Sequence, residues 1–402
     1  MFRKIANKHV VGCTLFIFSI QALASFVPIR GPIVDPLHDA LYDMELTDLV
    51  FSKLRKETEA DTNIVIVNIG ELSREMIAKE LQIIAKYEPR VIGIDVLFKN
   101  TKDRVGDSLL KNELQAVKRL IMASKLDDYN KEEKKFKISQ RSHTFFMENA
   151  TPAYTNFITR SKDALDISTC RTFSPMSLVN NKKEYAFSVA LAKEYDKEKT
   201  ELFLKRNKET EIINFKGNMG GKFFALDVDD VLKENFSPDI IKDKIVLFGF
   251  LGPAFNKASW EDKFFTPLNN RYIGRSNPDM YGVVIHANII SMILHNDYIN
   301  QVPMSISYTV AVLLCLLNVA LFSWINKKTG NLYDLISKGI QLIETFLLLF
   351  VIVLLFYYFN IKFNLTVTIV TVLLTGDLLE IYYSVVKIPF ANHVKRIFKK
   401  IN

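Results

Sequence analysis

Apolar positions along this chain follow two patterns, long unbroken runs near the ends and short periodic stretches between them. A helix that crosses a bilayer needs roughly 20 mostly apolar residues. Four runs meet that requirement: Val10 to Ile29, Met304 to Ile325, about Gly339 to Phe359, and Phe363 to Val386. Only Asn360, Ile361 and Lys362 separate the last two, so they are expected to form a tight helical hairpin. Residues 30–303 carry no such run and read as a folded polar-surfaced domain.

Within that domain the periods alternate. "NIVIVNIGELS" (Asn63 to Ser73) is a buried strand ending in a polar turn. "SREMIAKELQIIAKYEP" follows at helical period, with Met76, Ile77, Leu81, Ile84 and Ala85 on one face and Pro89 beyond its end. "RVIGIDVLF" (Arg90 to Phe98) is a second apolar run. Strand, amphipathic helix and strand in this order make a βαβ unit, which requires parallel strands. "LLKNELQAVKRLIMAS" repeats the helix-then-strand pattern, and the charged stretch Lys125 to Arg141 reads as a solvated loop or helix. Short strands are expected around Tyr154 to Phe157 and Cys170 to Phe173. "EYAFSVALAKEYD" reads as a helix, "EIINFKG" as a strand, "GNMGG" as a turn and "LDVDDVLKE" as a short helix. "KDKIVLFGFLG" (Lys242 to Gly252) is the strongest strand, and "YGVVIHANIISMIL" (Tyr281 to Leu294) is a helix. The predicted fold class is an α/β domain with a mostly parallel sheet and helices on both faces, joined to a four-helix transmembrane region with one N-terminal and three C-terminal spans.

The chain of 402 residues is 49% hydrophobic with 30 Phe, yet 24% charged, and its net charge is +8. Those charges are unevenly placed. Residues 1–9, 326–338 and 387–402 hold eleven Lys/Arg against Asp334 alone, so the rest of the chain is close to neutral. A Lys/Arg excess in short flanking segments marks the cytoplasmic side. Both termini are therefore expected inside and the large domain outside. The surplus is a topology signal and argues against nucleic acid as a partner. Ala22-Leu23-Ala24 before Ser25 fits a cleavage site, but the apolar run continues through Phe26, Val27 and Ile29, which favours a retained anchor. Cys13 and Cys315 lie in spans and Cys170 is alone in the domain, so no disulfide within the domain is expected.

"VIGIDVLF", "INFKG" with "LDVDDVL" behind it, "KDKIVLFGFLG", "EDKFFTPLN" (Glu261 to Asn269) and "GVVIHANIISMIL", in this order, resemble the CHASE2 family of extracytoplasmic sensory domains. The flanking spans, one before and three after, match the same family. The resemblance implies an input domain in the periplasm or outside the cell, held in a bacterial cytoplasmic (inner) membrane and reporting inward through the final helices. Two departures stand out. Only residues 387–402 follow the last span, too few to fold a catalytic output domain. After the first strand, where the family carries Asp then Asp/Glu, this chain has Gly70-Glu71.

Ligands of open α/β sheets bind beyond the carboxyl ends of the strands. There the chain offers Asn68, Glu71, Asp95, Gly249, Asp262, Thr266 and His286 as candidate ligand-binding residues. The competing reading is structural: Asp95 and Asp262 cap helices or pin loops. His286, one turn into an apolar helix, is expected to donate to a backbone carbonyl or to a carboxylate such as Asp262. A protonatable switch is its alternative role. No HxxxH, HxxE or CxxC pair occurs in the domain, so no metal is expected, and no cofactor. With no P-loop, GxSxG elbow or GxGxxG after a strand, no catalytic residues are assigned. In the spans, Glu344, Asp377 and Glu380 are candidate contacts, between helices or to a basic partner protein. The sequence reads as a non-enzymatic membrane-anchored sensor or scaffold that acts through an envelope partner and has a small molecule as possible ligand. A structural docking subunit of a cell-envelope complex is the alternative, and a membrane-anchored enzyme comes third.

Overall fold

The computed structural model describes residues 8–26, 45–55, 58–130, 132–133, 135–157, 169–257, 259–269 and 277–387. Two compact units emerge, residues Asp43–Ile299 and a unit made from Met1–Tyr42 with Asn300–Asn402. The end of the expected first span (27–29), the first seven residues and most of the basic tail lie outside the described residues.

In chain order the elements used below are helix α1 (Lys8–Ser25), strand β1 (Asp61–Asn68), α2 (Arg74–Lys86), β2 (Val91–Ile94), α3 (Arg104–Ala116), β3 (Leu120–Asn130), β4 (Lys135–Arg141) and β5 (Ala150–Tyr154). Next come β6 (Thr172–Phe173), β7 (Met176–Val179), β8 (Lys182–Tyr185), α4 (Phe187–Tyr195), α5 (Lys197–Leu204), β9 (Glu211–Ile212), β10 (Phe223–Leu226), α6 (Val228–Leu232) and β11 (Ile245–Gly249). Helices α7 (Gly282–Leu294), α8 (Met304–Thr329), α9 (Tyr333–Phe359) and α10 (Thr366–Ile381) complete the set.

The main sheet runs β10-β1-β11-β2-β3-β4-β7-β8, with β5 also paired to β3. Its β10-β1-β11-β2-β3 portion is parallel, as the βαβ pattern requires. β1 and β2 are not neighbours, because β11 is inserted between them. The sheet as a whole is mixed, which corrects the expectation of a mostly parallel one. The reason lies in the charged stretch after Lys125, which was expected as a loop or helix. β3 continues through it and turns back as β4, pairing Ser124 to Asn130 antiparallel with Arg141 to Lys135. The hairpin holds because Leu126 is buried and Tyr129 packs on Phe136, ring centroids 4.8 Å apart, while the charges stay in solvent. β7 and β8 form a second antiparallel pair. "EIINFKG" contributes only the two-residue β9, paired with β6 outside the main sheet.

Side chains alternate across each strand. Val65, Val67, Ile92, Ile94, Val246 and Phe248 join the core formed with Ile77, Leu81 and Ile84 of α2 and Leu110 and Leu114 of α3. Each fully buried side chain of this size contributes about 1.5–3 kcal/mol. Arg74 of α2 and Asp107 of α3 form a buried ion pair that fixes the two helices together. The opposite face carries α4 and α7. A Cβ on Gly93 would press on Leu191 and Phe187 of α4, and one on Gly249 would lie 2.6 Å from Cβ of Val283. Both glycines let a helix lie directly on the sheet. α7 is buried on every side, from Gly282 to Leu294, which makes it the central helix of the domain.

The second unit is a helix bundle. Among the described residues three helical runs are long and apolar enough to cross a membrane, Lys8–Ser25, Met304–Phe359 and Thr366–Val386. Met304–Phe359 is divided at the turn Gly330–Leu332, where Gly330 has φ +48°, into α8 and α9, so the expected second and third spans are two helices with only a short turn between them. The segment 326–338, expected as a loop, is mostly helical, and α9 starts at Tyr333 rather than 339. The fourth helix starts at Thr366 rather than 363, because Ile361–Lys362 pairs instead with Asn300–Gln301. α8 and α10 run parallel, with Ser307 beside Thr368, Cys315 beside Thr375 and Ser323 beside Tyr383.

Candidate functional site

β1, β2, β10 and β11 run parallel, so their carboxyl ends share one edge, where the sequence places its candidates. The structure divides those residues among three local arrangements rather than one site.

Asn68, fully buried at the end of β1, is a structural knot. Its Nδ2 donates to Asp227 Oδ1 at 2.8 Å and to the Gly252 carbonyl at 3.1 Å. Its Oδ1 accepts from Leu251 N at 2.8 Å and Gly70 N at 3.1 Å. An amide side chain has two donors and one accepting oxygen, so nothing is left for a ligand. Asp227 in turn caps α6 and accepts from Phe255 N at 2.9 Å. Thr266 is likewise engaged: its Oγ1 donates to Asp279 Oδ2 at 2.6 Å and its backbone N–H to Oδ1 at 2.8 Å. Gly249 serves the packing of Val283. Glu71 stands exposed in the turn after β1.

Asp95 and Asp262 form the second arrangement. Burial first, and the charge of Asp262 second, push the Asp95 carboxyl up to about 8. Asp262 sits in a left-handed turn, φ +53°, with its carboxylate oxygens 3.1 and 3.3 Å from where a Cβ on Gly282 would stand. Its outer side is exposed, while burial of the inner side and then Glu261 push its carboxyl up to about 6. Its own carbonyl accepts from Gly282 N at 3.0 Å. Asp262 thus stands at the first turn of α7, close enough for its charge to disfavour the ionised form of Asp95.

Neither ring nitrogen of His286 has a well-formed hydrogen bond among the described residues, and the Thr155 backbone is close enough only to favour its charged form in part. The ring lies between Phe157, 4.6 Å away, and Phe187, 5.2 Å away. Burial drives its pKa down to about 3, opposed in part by the backbone of Thr155, so the imidazole is neutral and acts as an apolar filler. Its polar neighbours on α7 do the bonding. Asn288 accepts from Lys216 N at 2.9 Å and donates to the Gly217 carbonyl at 3.0 Å. Ser291 Oγ donates to Asp61 Oδ2 at 2.5 Å.

A cavity of about 530 Å³ lies at the other end of α7, lined by Asn63, Arg90, Tyr195, the first turn of α5, Leu294 and His295. It lies at the amino edge of the sheet, opposite the carboxyl edge where the sequence places its candidates. Its walls come from β1, the approach to β2, the α4–α5 corner and the end of α7. No single stretch signals it.

In the bundle, two of the three acids are satisfied between helices. Asn318 Nδ2 donates to Glu344 Oε2 at 2.6 Å, and Lys338 pairs with Asp377 at 3.3 Å. Glu380 faces outward. Among the described residues no three His, Cys, Asp or Glu side chains converge as metal ligands would.

A family model, the CHASE2 domain, matches residues 19–324, well over half of the chain. No curated protein and no solved structure gives a match.

Proposed function

We propose that this chain, which belongs to the CHASE2 family of extracytoplasmic sensory domains, is a non-enzymatic membrane-anchored sensor that acts through a partner protein. One observation carries the reading: α7 is wholly buried, has the Asp262 carboxyl at its first turn and the cavity at its last, and is followed within a few residues by α8. A change at either end bears on how α7 is seated. The chain then passes through residues 295–303, and Asn300–Gln301 pairs with Ile361–Lys362 before α8 begins. Movement of α7 is therefore delivered to a segment already tied to the bundle.

The uneven Lys/Arg distribution supports an orientation with both termini in the cytoplasm and residues 30–303 outside a bacterial inner membrane. The exposed acid Glu380, with Lys338 and Asp377 close by, offers a polar face for a partner helix.

The test is affinity purification of the full chain from native membranes in mild detergent, repeated with Gly249→Val, which forces α7 off the sheet. A partner whose recovery changes with the substitution supports sensing. Recovery independent of α7 favours a fixed docking subunit of an envelope complex, and a turnover activity lost on Asp95→Asn and Asp262→Asn replacement would overturn both.

A further inference from the structure

We infer that the cavity at the C-terminal end of α7 is a binding site for a small organic carboxylate, gripped by the guanidinium of Arg90. This deepens the sensory reading and rests on it. The volume of about 530 Å³ lies within the range of small-molecule pockets, roughly 300–1,000 Å³. It is far larger than a lone inorganic anion needs.

The charged groups around the cavity differ in how fully they are engaged. Asp61, 4% exposed, accepts from Ser291 Oγ and Asn63 N and lies 3.6 Å from the His295 ring. Asp196 accepts from Lys199 N at 3.0 Å and caps α5. Glu198 adds a negative charge in the first turn of the same helix. The cations are held loosely. Lys197 and Lys199 reach Glu201 and Asp196 only at 3.8 Å, as exposed pairs. Arg90 lies over the Tyr195 ring, 5.0 Å from its centroid, and its nearest carboxylate, the exposed Asp243, is 3.7 Å away. That is beyond hydrogen-bond distance, and the guanidinium makes no hydrogen bond among the described residues. Exposed ion pairs of this kind contribute little and exchange readily. A planar fork with free donors, lying over an aromatic ring, matches a carboxylate in a two-bond grip.

Within this mostly polar lining, two apolar surfaces are open to a carbon body. The Tyr195 ring is fixed by its hydroxyl, which donates to Asn63 Oδ1 at 3.0 Å, and Leu294 supplies an apolar wall. Leu294 is the last residue of α7 and His295 its cap, so a molecule lodged there bears on the final turn of the helix.

The experiment titrates succinate, benzoate and inorganic phosphate, each to about 10 mM, into the detergent-solubilised full chain, read by calorimetry and thermal shift. Succinate or benzoate is expected to bind saturably at one site. Arg90→Ala should weaken it about tenfold or more, with Arg90→Lys in between. Lys199→Gln, on the exposed first turn of α5, gives a second, smaller loss should the alanine variant misfold. Absence of binding by both carboxylates, equal binding of phosphate, or binding indifferent to Arg90→Ala or Lys199→Gln overturns the site. Carboxylate binding that leaves partner recovery unchanged would keep this site and remove the sensory reading. A partner response without carboxylate binding would do the reverse.

Discussion

Asn68 and Asp227, 159 residues apart in sequence, are joined by a 2.8 Å hydrogen bond that ties β1 to the start of α6. Asn68 also holds the Gly252 carbonyl and the Leu251 N–H, so one amide closes three loops at the carboxyl edge. What looks in sequence like a polar group ready for a ligand is a fully occupied joint.

Asn68→Ala strands the Leu251 N–H and removes a donor from Asp227. A buried polar group left unpaired costs roughly 1–3 kcal/mol. A loss of about 2–3 kcal/mol in chemical unfolding of the full chain is expected, and a loss under about 0.5 kcal/mol would contradict the assignment.

Glu80 of α2 is fully buried with both carboxyl oxygens unpartnered among the described residues. Burial, and the charge of Asp227 after it, push its pKa up to about 8. The folded state keeps this proton while the unfolded state releases it, so stability is full below the ordinary carboxylate range and falls as pH rises toward 8. Glu80→Gln should abolish that loss and raise stability at pH 8–9 by a few kcal/mol. Unfolding curves for the two proteins that keep a constant separation from pH 5 to 9 would refute it.

His286 works in the opposite direction. Its pKa near 3 means that the folded state refuses a proton which the unfolded state accepts. Stability is therefore present above pH 6.5 and drains as pH falls toward 3. His286→Leu, which keeps an apolar filler between Phe157 and Phe187, should leave stability at pH 7 within about 1 kcal/mol and flatten the acid limb. A variant as acid-sensitive as the parent would show that the ring is not the titrating group.

Glu344 accepts from Asn318 inside the bundle. Glu344→Gln retains an accepting oxygen and should be nearly neutral. Glu344→Ala should lower resistance to SDS unfolding by about 0.6 kcal/mol and by no more than about 1.7 kcal/mol, the mean and the maximum for hydrogen bonds between membrane helices. Equal behaviour of the two variants would place the role of Glu344 outside the bundle.

Periodicity alone made α2, α3, α4 and α7 legible, together with the βαβ unit and the apolar helices. Each rests on a local pattern, and a buried strand such as Ile245 to Phe248 allows few other readings. The continuation of β3 into β4 was not legible, since charged residues on an exposed hairpin look like those of a loop until a partner strand pairs with them. The position of β11 between β1 and β2 was equally hidden, because strand order depends on packing between distant segments.

The same division holds for the candidate site. Residue types and strand ends brought Asp95 and Asp262 forward as candidates, and only the fold set the charge of Asp262 close enough to raise the Asp95 carboxyl. Whether Asn68, Thr266 and His286 were free could be decided only in three dimensions. Their partners are Asp227, Asp279 and two phenylalanine rings, brought in from elsewhere in the chain. The cavity at the far end of α7 belongs wholly to the tertiary structure, since Asn63, Arg90, Tyr195 and His295 share no pattern in sequence and meet only because the sheet and α7 lie side by side.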